Sequence, residues 1–427
     1  MRIFISTGEP SGDLHAANLV HALKTRLPEA EIVGFGGPRM QAAGATVLYP
    51  LVELAVMWFG RVLLNLHKFL ALASQADRYF RHQKPDVVIL IDYPGFHWWI
   101  AWRAKVRGIP VVYYVPPQIW AWAGWRVDKM RKYVDHVLCS LPFEPAWYHA
   151  RGVPQAEYVG HPYFDELGER VLDPGFLADQ VARGGPRVVL LPGSRTQEIL
   201  KNFPMMLAAA RKLSAQLPAT RFLVSCLHER HQALVNRLIQ EETGLPRLEV
   251  HAGRTPELIR VADIAWAVSG SVGLELMNEA LPSVIVYKVK PVDLKIARRF
   301  IKSRYISLVN LLADFEVMPE YLTGEDVSND MTRWAHRWLT DPHTRSQTAQ
   351  ALIALRERVA QPGATARAAD RIVDVIRHPR PRQAQTQDSS STPDSSELSS
   401  PSALDAPRSS SGPHHRIRPS ARSSPRG

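Results

Sequence analysis

Short runs of β-branched and aliphatic residues alternate with helical patterns along most of the chain. Continuous apolar runs of this length predict buried strands of a parallel sheet, and the helical segments between them predict crossover connections. A first series of runs falls at residues 2–9, 31–37, 87–94, 111–117, 136–142 and 156–162, and a second at residues 188–191, 221–226, 248–251, 264–269 and 283–289. Two series in tandem predict an α/β protein with two parallel-sheet domains and a cleft between them, divided within residues 163–185.

Residues 188–199 (VVLLPGSRTQEI) connect a strand to a helix in the second series. A Pro-Gly pair ends the strand, and Ser194, three residues before Gln197, predicts a capping box at the start of the helix. Such a turn presents free amides and the positive end of a helix dipole, which favour an anion, and Arg195 adds a bidentate donor. A plain strand–helix turn is the alternative, and the pattern leaves both interpretations open.

Other strand ends also carry residues suited to a ligand site, because ligands of open parallel sheets bind beyond the carboxyl ends of the strands. In the first turn, GEPSGD, Gly8 and Gly12 allow close approach of the backbone to a ligand, although the G-x-G-x-x-G dinucleotide pattern is missing. Asp92 stands at the carboxyl end of the third run. Ser269, Gly270 and Ser271 open a helix after another strand and form a second candidate anion site.

Composition narrows the class of protein. The chain has 427 residues, 45% of them hydrophobic, and this length suits two domains. Its formal net charge of +11 favours anionic partners. Residues 377–427 are rich in Ser, Pro and Arg and nearly free of large apolar residues, so we expect a disordered tail. The N-terminus resembles no signal peptide and no run of 18 residues lacks charge, which predicts a cytoplasmic protein without a membrane span.

One amphipathic segment is unusually bulky. Between residues 57 and 73, apolar side chains follow helical spacing and Arg61, Asn65 and Lys68 fall on the opposite side. A helix with a basic polar face can lie in a membrane interface, whereas the alternative is an ordinary helix that faces the core. The candidate membrane-contact residues are Trp58, Phe59, Val62, Leu63, Leu66 and Phe69.

Ten motifs then occur in a fixed order over residues 1–376: GEPSGD, GFGGPRM, ELAVMWFG, IDYPGF, VPPQIWAW, LPFEPAWY, YVGHP, LPGSRTQEI, SGSVGLE and YISLVNLLA. This series resembles the lipid-A-disaccharide synthase family. The resemblance implies a GT-B architecture, with two Rossmann-like domains that face one another across a cleft and C-terminal helices that cross back to the first. It also implies transfer of 2,3-diacylglucosamine from its UDP carrier to 2,3-diacylglucosamine 1-phosphate, with inversion and without a metal or cofactor.

The resemblance assigns roles to particular residues. Asp92 matches the family's essential aspartate and is the expected base, and Arg195 is expected to hold the diphosphate together with Ser194. Further candidates are Glu9 and Asp13 in the base network, Gly8, Ser11 and Gly12 on the acceptor side, and Ser269, Gly270, Ser271, Glu275, Asn310 and Glu320 on the UDP side. In the motif IDYPGF and the residue after it, Gly95 and His97 stand where the family commonly has an acidic residue and an Asn, so the surroundings of Asp92 are expected to differ.

The resemblance also implies a domain plan and partners. We expect an acceptor and membrane domain at residues 1–165, a donor domain at 166–345, crossing helices at 346–376 and the tail at 377–427. Expected partners are the two diacylated substrates and the inner leaflet of the cytoplasmic membrane, with no nucleic acid, and a homodimer is a fold-level expectation. The alternatives are a lipid II-forming transferase, a UDP-N-acetylglucosamine 2-epimerase, or a catalytically inactive lipid- or nucleotide-binding protein.

Overall fold

The computed structural model describes residues 1–55, 66–290 and 303–378. Seven parallel strands form the first sheet, in the order β3-β2-β1-β4-β5-β6-β7. They are β1 Arg2–Thr7, β2 Glu31–Phe35, β3 Thr46–Tyr49, β4 Val87–Ile91, β5 Val111–Tyr114, β6 His136–Cys139 and β7 Ala156–Tyr158. Because β1 and β4 are adjacent although distant in sequence, the order of the strands reverses at this pair, and a ligand crevice is expected at its carboxyl end.

Six parallel strands form the second sheet, in the order β10-β9-β8-β11-β12-β13. They are β8 Arg187–Leu191, β9 Arg221–Cys226, β10 Leu248–Ala252, β11 Ile264–Val268, β12 Ser283–Lys288 and β13 Glu320–Thr323. The reversal falls at β8 and β11, which pair directly. The prediction of two tandem parallel-sheet domains is confirmed.

Helices cover both faces of each sheet. Those over or beside the first sheet are α1 Pro10–Arg26, α2 Pro38–Ala42, α3 Leu51–Ala55, α4 Leu66–Gln83, α5 Pro94–Val106, α6 Ile119–Trp122, α7 Val127–Tyr133, α8 Glu144–His149 and α9 Tyr163–Glu169. Those that follow are α10 Pro174–Ala182, α11 Thr196–Gln216, α12 Glu229–Gln240, α13 Thr255–Val261, α14 Val272–Asn278, α15 Leu308–Ala313, α16 Ser328–Thr340, α17 Pro342–Val359 and α18 Ala364–Arg377.

The central strands are apolar throughout because both of their faces are buried. Every residue of β4 is fully buried, and successive residues point to opposite faces. In β1, Phe4 packs into the core on one face while Ile3 and Ile5 pack into the core on the other. The continuous apolar runs seen in the sequence follow from this two-sided burial.

Two strands that the sequence pattern missed lie at the outer edges of the sheets. Strand β3 has only half-buried or exposed residues, and every residue of β13 is half-buried. An edge strand pairs on one side only and needs no continuous apolar run, so neither strand had the signal on which the prediction relied.

The last two helices, α17 and α18, pack against different sheets. Leu352, Leu355 and Val359 of α17 pack into the core of the second sheet, whereas Ala368 and Ile372 of α18 pack into the core of the first. Asp165 caps α18, since its carboxylate accepts hydrogen bonds from the amides of residues 363, 364 and 365 at 2.6, 3.2 and 2.8 Å. The chain thus crosses back to the first domain through α18.

Candidate active site

Asp92 follows the last residue of β4 in a constrained turn. Asp92 and Tyr93 both have left-handed backbone conformations, with φ of 51° and 49°. The Asp92 amide donates to the carbonyl of Val115, which is also left-handed, at 3.3 Å. Each such conformation costs on the order of 1 kcal/mol in a non-glycine residue and persists only where neighbouring groups impose it. Strain of this kind is typical of functional sites.

The Asp92 carboxyl is half-buried and electrostatically tuned. Burial, followed by the nearby charge of Glu9, raises its pKa from 3.8 to about 6, although the Tyr93 amide and the charges of His15 and Arg195 oppose this rise. A carboxylate with a pKa near 6 is ionised at neutral pH and is more basic than an ordinary aspartate. Asp92 therefore has the properties that a general base requires.

The first turn is closed by side chains rather than open to a ligand. Helix α1 begins at Pro10, so the exposed Ser11, together with Gly12 and Asp13, lies in the first turn of the helix and not in a loop. A Cβ on Gly8 would lie 2.5 Å from the ring of Tyr93, and a Cβ on Gly12 would collide with the hydroxyl of Thr7. Both glycines thus allow close packing inside the protein.

Asp13 binds backbone amides within the protein. Its carboxylate accepts hydrogen bonds from the amides of Gly37, Arg39 and Met40, at 2.8, 3.0 and 3.2 Å, and the side chain is buried. These amides belong to the turn that begins α2, where Asp13 satisfies donors that the helix itself leaves free. Asp13 therefore fixes the second strand–helix turn beside the first.

Arg195 reaches across from the second domain. Its guanidinium lies 3.3 Å from the carboxylate of Glu9 in the first domain, and 67% of its side chain is exposed. The same guanidinium contacts Glu198 at 3.3 Å. Arg195 is thus a solvent-accessible cation that contacts two carboxylates, one from each domain.

The capping prediction for this turn was wrong by one residue. Helix α11 begins at Thr196, and the Glu198 carboxylate accepts hydrogen bonds from the amides of Ser194 and Arg195 at 2.9 and 3.2 Å. Glu198, rather than Gln197, closes the cap, and it occupies two amides that would otherwise face an anion. What this turn offers an anion is chiefly the side chain of Arg195.

Glu275 lies in the second domain beneath the segment that joins the domains. Its carboxylate accepts a hydrogen bond from the Tyr163 hydroxyl at 2.9 Å and pairs with the guanidinium of Arg170. Burial raises the pKa of Glu275, against the opposing charge of Arg170. Nearby, the Ser269 hydroxyl donates to the carbonyl of Ile306 at 2.8 Å, Gly270 has open space around it, and Ser271 precedes α14 without a side-chain cap.

Asn310 and Glu320 bind each other and the backbone around them. The Asn310 amide group donates to Glu320 at 2.9 Å and to the Met318 carbonyl at 2.7 Å, and its oxygen accepts from two further amides. Glu320 accepts from the amides of Ile306 and Ser307 at 2.8 and 3.0 Å. Both residues hold the segment before α15 in place, beside the Ser269 turn.

Three histidines at this site were not predicted from the sequence as site residues. His15 of α1 is buried and lies 2.9 Å from Glu166, and its charge reaches Asp92. His97 of α5 contacts the backbone of Asp92 itself. His161 packs near His15, accepts a hydrogen bond from the Tyr163 amide, and has its pKa lowered to about 3 by burial. His15 follows Ser11 of the GEPSGD turn by four residues, about one turn of a helix, and this spacing was the signal available in the sequence.

The membrane-contact residues fall largely outside the described ranges. Trp58, Phe59, Val62 and Leu63 are not described, nor is the side chain of Leu66, while Phe69 is half-buried with its ring 5.7 Å from Phe96. Among the residues that the structure describes, no helix has the length and apolar character needed to span a bilayer. Within the same ranges, no cluster of three His, Cys, Asp or Glu side chains is arranged to hold a metal ion.

Two Rossmann-type sheets whose strand ends meet at the Glu9–Arg195 contact define the GT-B fold. Solved structures agree: the S. aureus MnaA–UDP co-structure has a TM-score of 0.60 at 14% identity and covers 88% of this chain and 96% of its own. The spinosyn rhamnosyltransferase SpnG has a TM-score of 0.56 at 16% identity and covers 87% of this chain and 99% of its own. At such low identity the likeness concerns the fold alone.

Sequence similarity gives the family within that fold. The family model described as Lipid-A-disaccharide synthetase matches residues 3–370. A lipid-A-disaccharide synthase of Myxococcus xanthus is 35% identical over 88% of this chain and 97% of its own length, and one of Pseudomonas putida is 36% identical over 76% and 86%. The chain therefore belongs to the lipid-A-disaccharide synthase family and is a glycosyltransferase. The predicted family and class of enzyme are confirmed, and an epimerase or lipid II-forming transferase is not favoured.

Proposed function

We propose that this enzyme transfers 2,3-diacylglucosamine from UDP-2,3-diacylglucosamine to the 6-hydroxyl of 2,3-diacylglucosamine 1-phosphate, with inversion. The products are the β-1,6-linked disaccharide 1-phosphate and UDP. The observation that carries the proposal is that a basic carboxylate, Asp92, and an accessible cation, Arg195, which contacts Glu9, follow strand ends of the two domains and interact electrostatically. The family of the chain supports the same reaction.

In the proposed mechanism, the acceptor oxygen attacks the anomeric carbon as the bond to the diphosphate oxygen breaks. Asp92 takes the proton of the attacking hydroxyl, and Arg195 stabilises the negative charge that develops on the leaving UDP. Glu9 contacts the guanidinium of Arg195 at 3.3 Å. The diphosphate would displace Glu9, because it offers the guanidinium more charge and a bidentate partner.

The other candidate residues bind the nucleotide or hold the walls of the substrate sites in place. Glu275 is suited to accept hydrogen bonds from the ribose diol, which would replace the Tyr163 hydroxyl as its partner. Asn310 and Glu320 fix the neighbouring segment before α15. Asp13 holds the second turn against the first. We assign Ser194, Ser269, Gly270 and Ser271 to the walls of the UDP site, and Ser11, which is exposed, to the acceptor side.

Release of UDP from the donor, measured in the presence of the diacylated acceptor, tests the catalytic proposal. We expect Asp92→Asn to lower kcat by about 100-fold or more and to leave UDP affinity unchanged, because only proton transfer is removed. Asp128→Asn is the matched control, since the Asp128 side chain is 72% exposed. A fully active Asp92→Asn variant would overturn the assignment of the base.

Measurement of UDP affinity separates the two candidate anion sites. Arg195→Ala should weaken UDP binding by roughly tenfold or more if its guanidinium holds the diphosphate. The matched control is Arg183→Ala, which removes a half-exposed arginine from the opposite end of the second sheet. Unchanged UDP affinity in Arg195→Ala would shift the assignment to the turn at Ser269.

We further propose that the enzyme docks on the cytoplasmic face of the inner membrane, where its acylated substrates reside. Exposed tryptophans on the first domain support this proposal: Trp99, Trp122 and Trp125 are 48%, 45% and 66% exposed. The guanidinium of Arg126 lies 4.6 and 5.2 Å from the ring centres of Trp122 and Trp125. Tryptophan beside a cation suits an interface of acyl chains and anionic headgroups.

Sedimentation with vesicles that contain anionic phospholipid tests this docking. Combined Trp122→Ser and Trp125→Ser substitutions should reduce the bound fraction several-fold, as should Ser at Val62, Leu63, Leu66 and Phe69, because each set removes apolar area from the interface. Phe315→Ser is the control, since Phe315 is an exposed apolar residue of the second domain. Equal binding of all variants would contradict the proposal.

A further inference from the structure

The backbone carbonyl of Asp92 is held from both sides. It accepts a hydrogen bond from Nδ1 of His97 at 2.7 Å and another from the hydroxyl of Tyr113 at 2.6 Å. Tyr113 lies on β5, and His97 is linked to Ser6 on β1 by a contact of 2.9 Å between Nε2 and Oγ. Because β1 and β5 flank β4, each neighbouring strand supplies one restraint on the residue that follows β4.

The chemistry of these contacts fixes the state of His97. A carbonyl oxygen can only accept, so Nδ1 carries the proton, Nε2 accepts, and the hydroxyl of Ser6 donates to it. Ser6, His97 and Tyr113 are all fully buried. Burial lowers the pKa of His97 to about 3, so the imidazole stays neutral with its proton on Nδ1 throughout the physiological range.

These contacts oppose relaxation of a strained turn. Asp92 and Tyr93 are both left-handed, and without outside restraint an Asp–Tyr pair favours extended or right-handed backbone. Rotation of the peptide that links them would swing the Asp92 carbonyl away from its two donors and redirect its side chain. Two hydrogen bonds to one carbonyl oppose that rotation directly.

We propose that His97, oriented by Ser6 and assisted by Tyr113, is a positioning residue that fixes the direction of the Asp92 carboxylate. This inference rests on the proposed function of Asp92 as the base. A misplacement of about 1 Å in a reacting group can lower the rate by about 100-fold. The role is therefore kinetic: His97 touches no substrate, and its effect reaches the reaction only through Asp92.

The experiment compares three substitutions in the full-length enzyme. His97→Leu removes both hydrogen bonds, His97→Asn keeps a donor near the position of Nδ1 but does not reach Ser6, and Tyr113→Phe removes the second donor alone. For each variant, kcat and KM are measured with both diacylated substrates, UDP affinity is measured separately, and thermal unfolding reports the folded state.

We expect kcat to fall about 100-fold in His97→Leu and about tenfold in Tyr113→Phe, with KM and UDP affinity within about threefold of wild type. His97→Asn should recover most of the lost kcat. This split between kcat and KM, together with the recovery by Asn, distinguishes positioning from a general loss of structure. Tyr113→Phe retains the ring and its packing, so it carries the test if His97→Leu fails to fold.

The outcomes separate this inference from the proposal on which it rests. If Asp92→Asn is inactive and both His97→Leu and Tyr113→Phe keep wild-type kcat, positioning is refuted and the base assignment stands. A rise in KM equal to the fall in kcat/KM would also refute positioning, because it would indicate lost binding. If Asp92→Asn itself is fully active, the base assignment fails, and the inference fails with it.

Discussion

Replacement of Asp92 by Asn should stabilise the folded protein while it abolishes turnover. The substitution keeps the shape of the side chain and removes a negative charge that is half-buried and close to Glu9. Asn also tolerates the left-handed conformation at this position. The strain and burial that make Asp92 reactive are thus expected to lower the stability of the wild-type enzyme.

The size of the effect follows from the pKa of the carboxyl. A rise from 3.8 to about 6 means that ionisation destabilises the folded state by about 3 kcal/mol at neutral pH, since one pKa unit corresponds to about 1.4 kcal/mol. Partial exposure of the carboxyl and the hydrogen bond from Tyr93 reduce what Asn recovers, so we expect about 2 kcal/mol. In a domain of this size, that gain corresponds to a rise in Tm of roughly 4–8 °C.

The gain should depend on pH with a defined sign. Between the two pKa values the folded state binds more protons than the unfolded chain, so wild-type stability falls as pH rises from about 4 to about 6. The Asn variant lacks this group, so its advantage should be about a third of its full size near pH 4.5, where the unfolded carboxyl is already mostly ionised, and complete above about pH 7.

Thermal unfolding of wild type and Asp92→Asn at about pH 4.5 and about pH 7.5 measures this difference. Asp128→Asn, which alters an exposed carboxylate, should change Tm little at either pH. A lower Tm for Asp92→Asn at the higher pH, or an equal gain at both values, would refute the reasoning.

Three further substitutions, one of them with a control variant, test other contacts of the structure. Glu9→Gln removes the charge that raises the pKa of Asp92, so the acid limb of kcat/KM should move to lower pH, and an unmoved limb would contradict this coupling. Glu275→Ala removes the buried side chain that pairs with Arg170 and accepts a hydrogen bond from Tyr163, so unfolding should become easier by about 2 kcal/mol, whereas an unchanged Tm would show these contacts to be dispensable. Asp165→Ala exposes three amides of α18 and should destabilise by about 1–2 kcal/mol. Asp370→Ala, which breaks an exposed ion pair, should cost less than about 1 kcal/mol, and equal losses would argue against a capping role.

The central part of each sheet could be predicted from the sequence because burial there is two-sided. The run 87–91 admits only apolar residues, since each of its side chains is enclosed by helices on one face or the other. The edge strands β3 and β13 could not be found in this way. Their pairing depends on where β2 and β12 lie, and the local sequence does not report that position.

Sequence motifs located the candidate site, and the family resemblance selected Asp92 as the expected base, but the sequence did not show what the other carboxylates bind. Glu9, Asp13, Asp92, Glu198 and Glu320 all stand in or near strand ends, and each could have faced a substrate. In the structure Asp13 and Glu320 bind backbone amides, Glu198 closes a helix cap, and Glu9 and Asp92 border the space near Arg195.

What the sequence determined by itself was therefore the succession of buried strands, the turns at their carboxyl ends and the family to which these motifs belong. Local patterns suffice for this, because strand burial and turn chemistry are encoded within a few residues. Only the tertiary structure showed which carboxylates are engaged by backbone amides. Asp13 meets Gly37 across 24 residues, Arg195 meets Glu9 across 186, and His97 meets Ser6 across 91. The protonation and direction of Asp92 depend on such distant partners, and they come together only when the sheets have assembled.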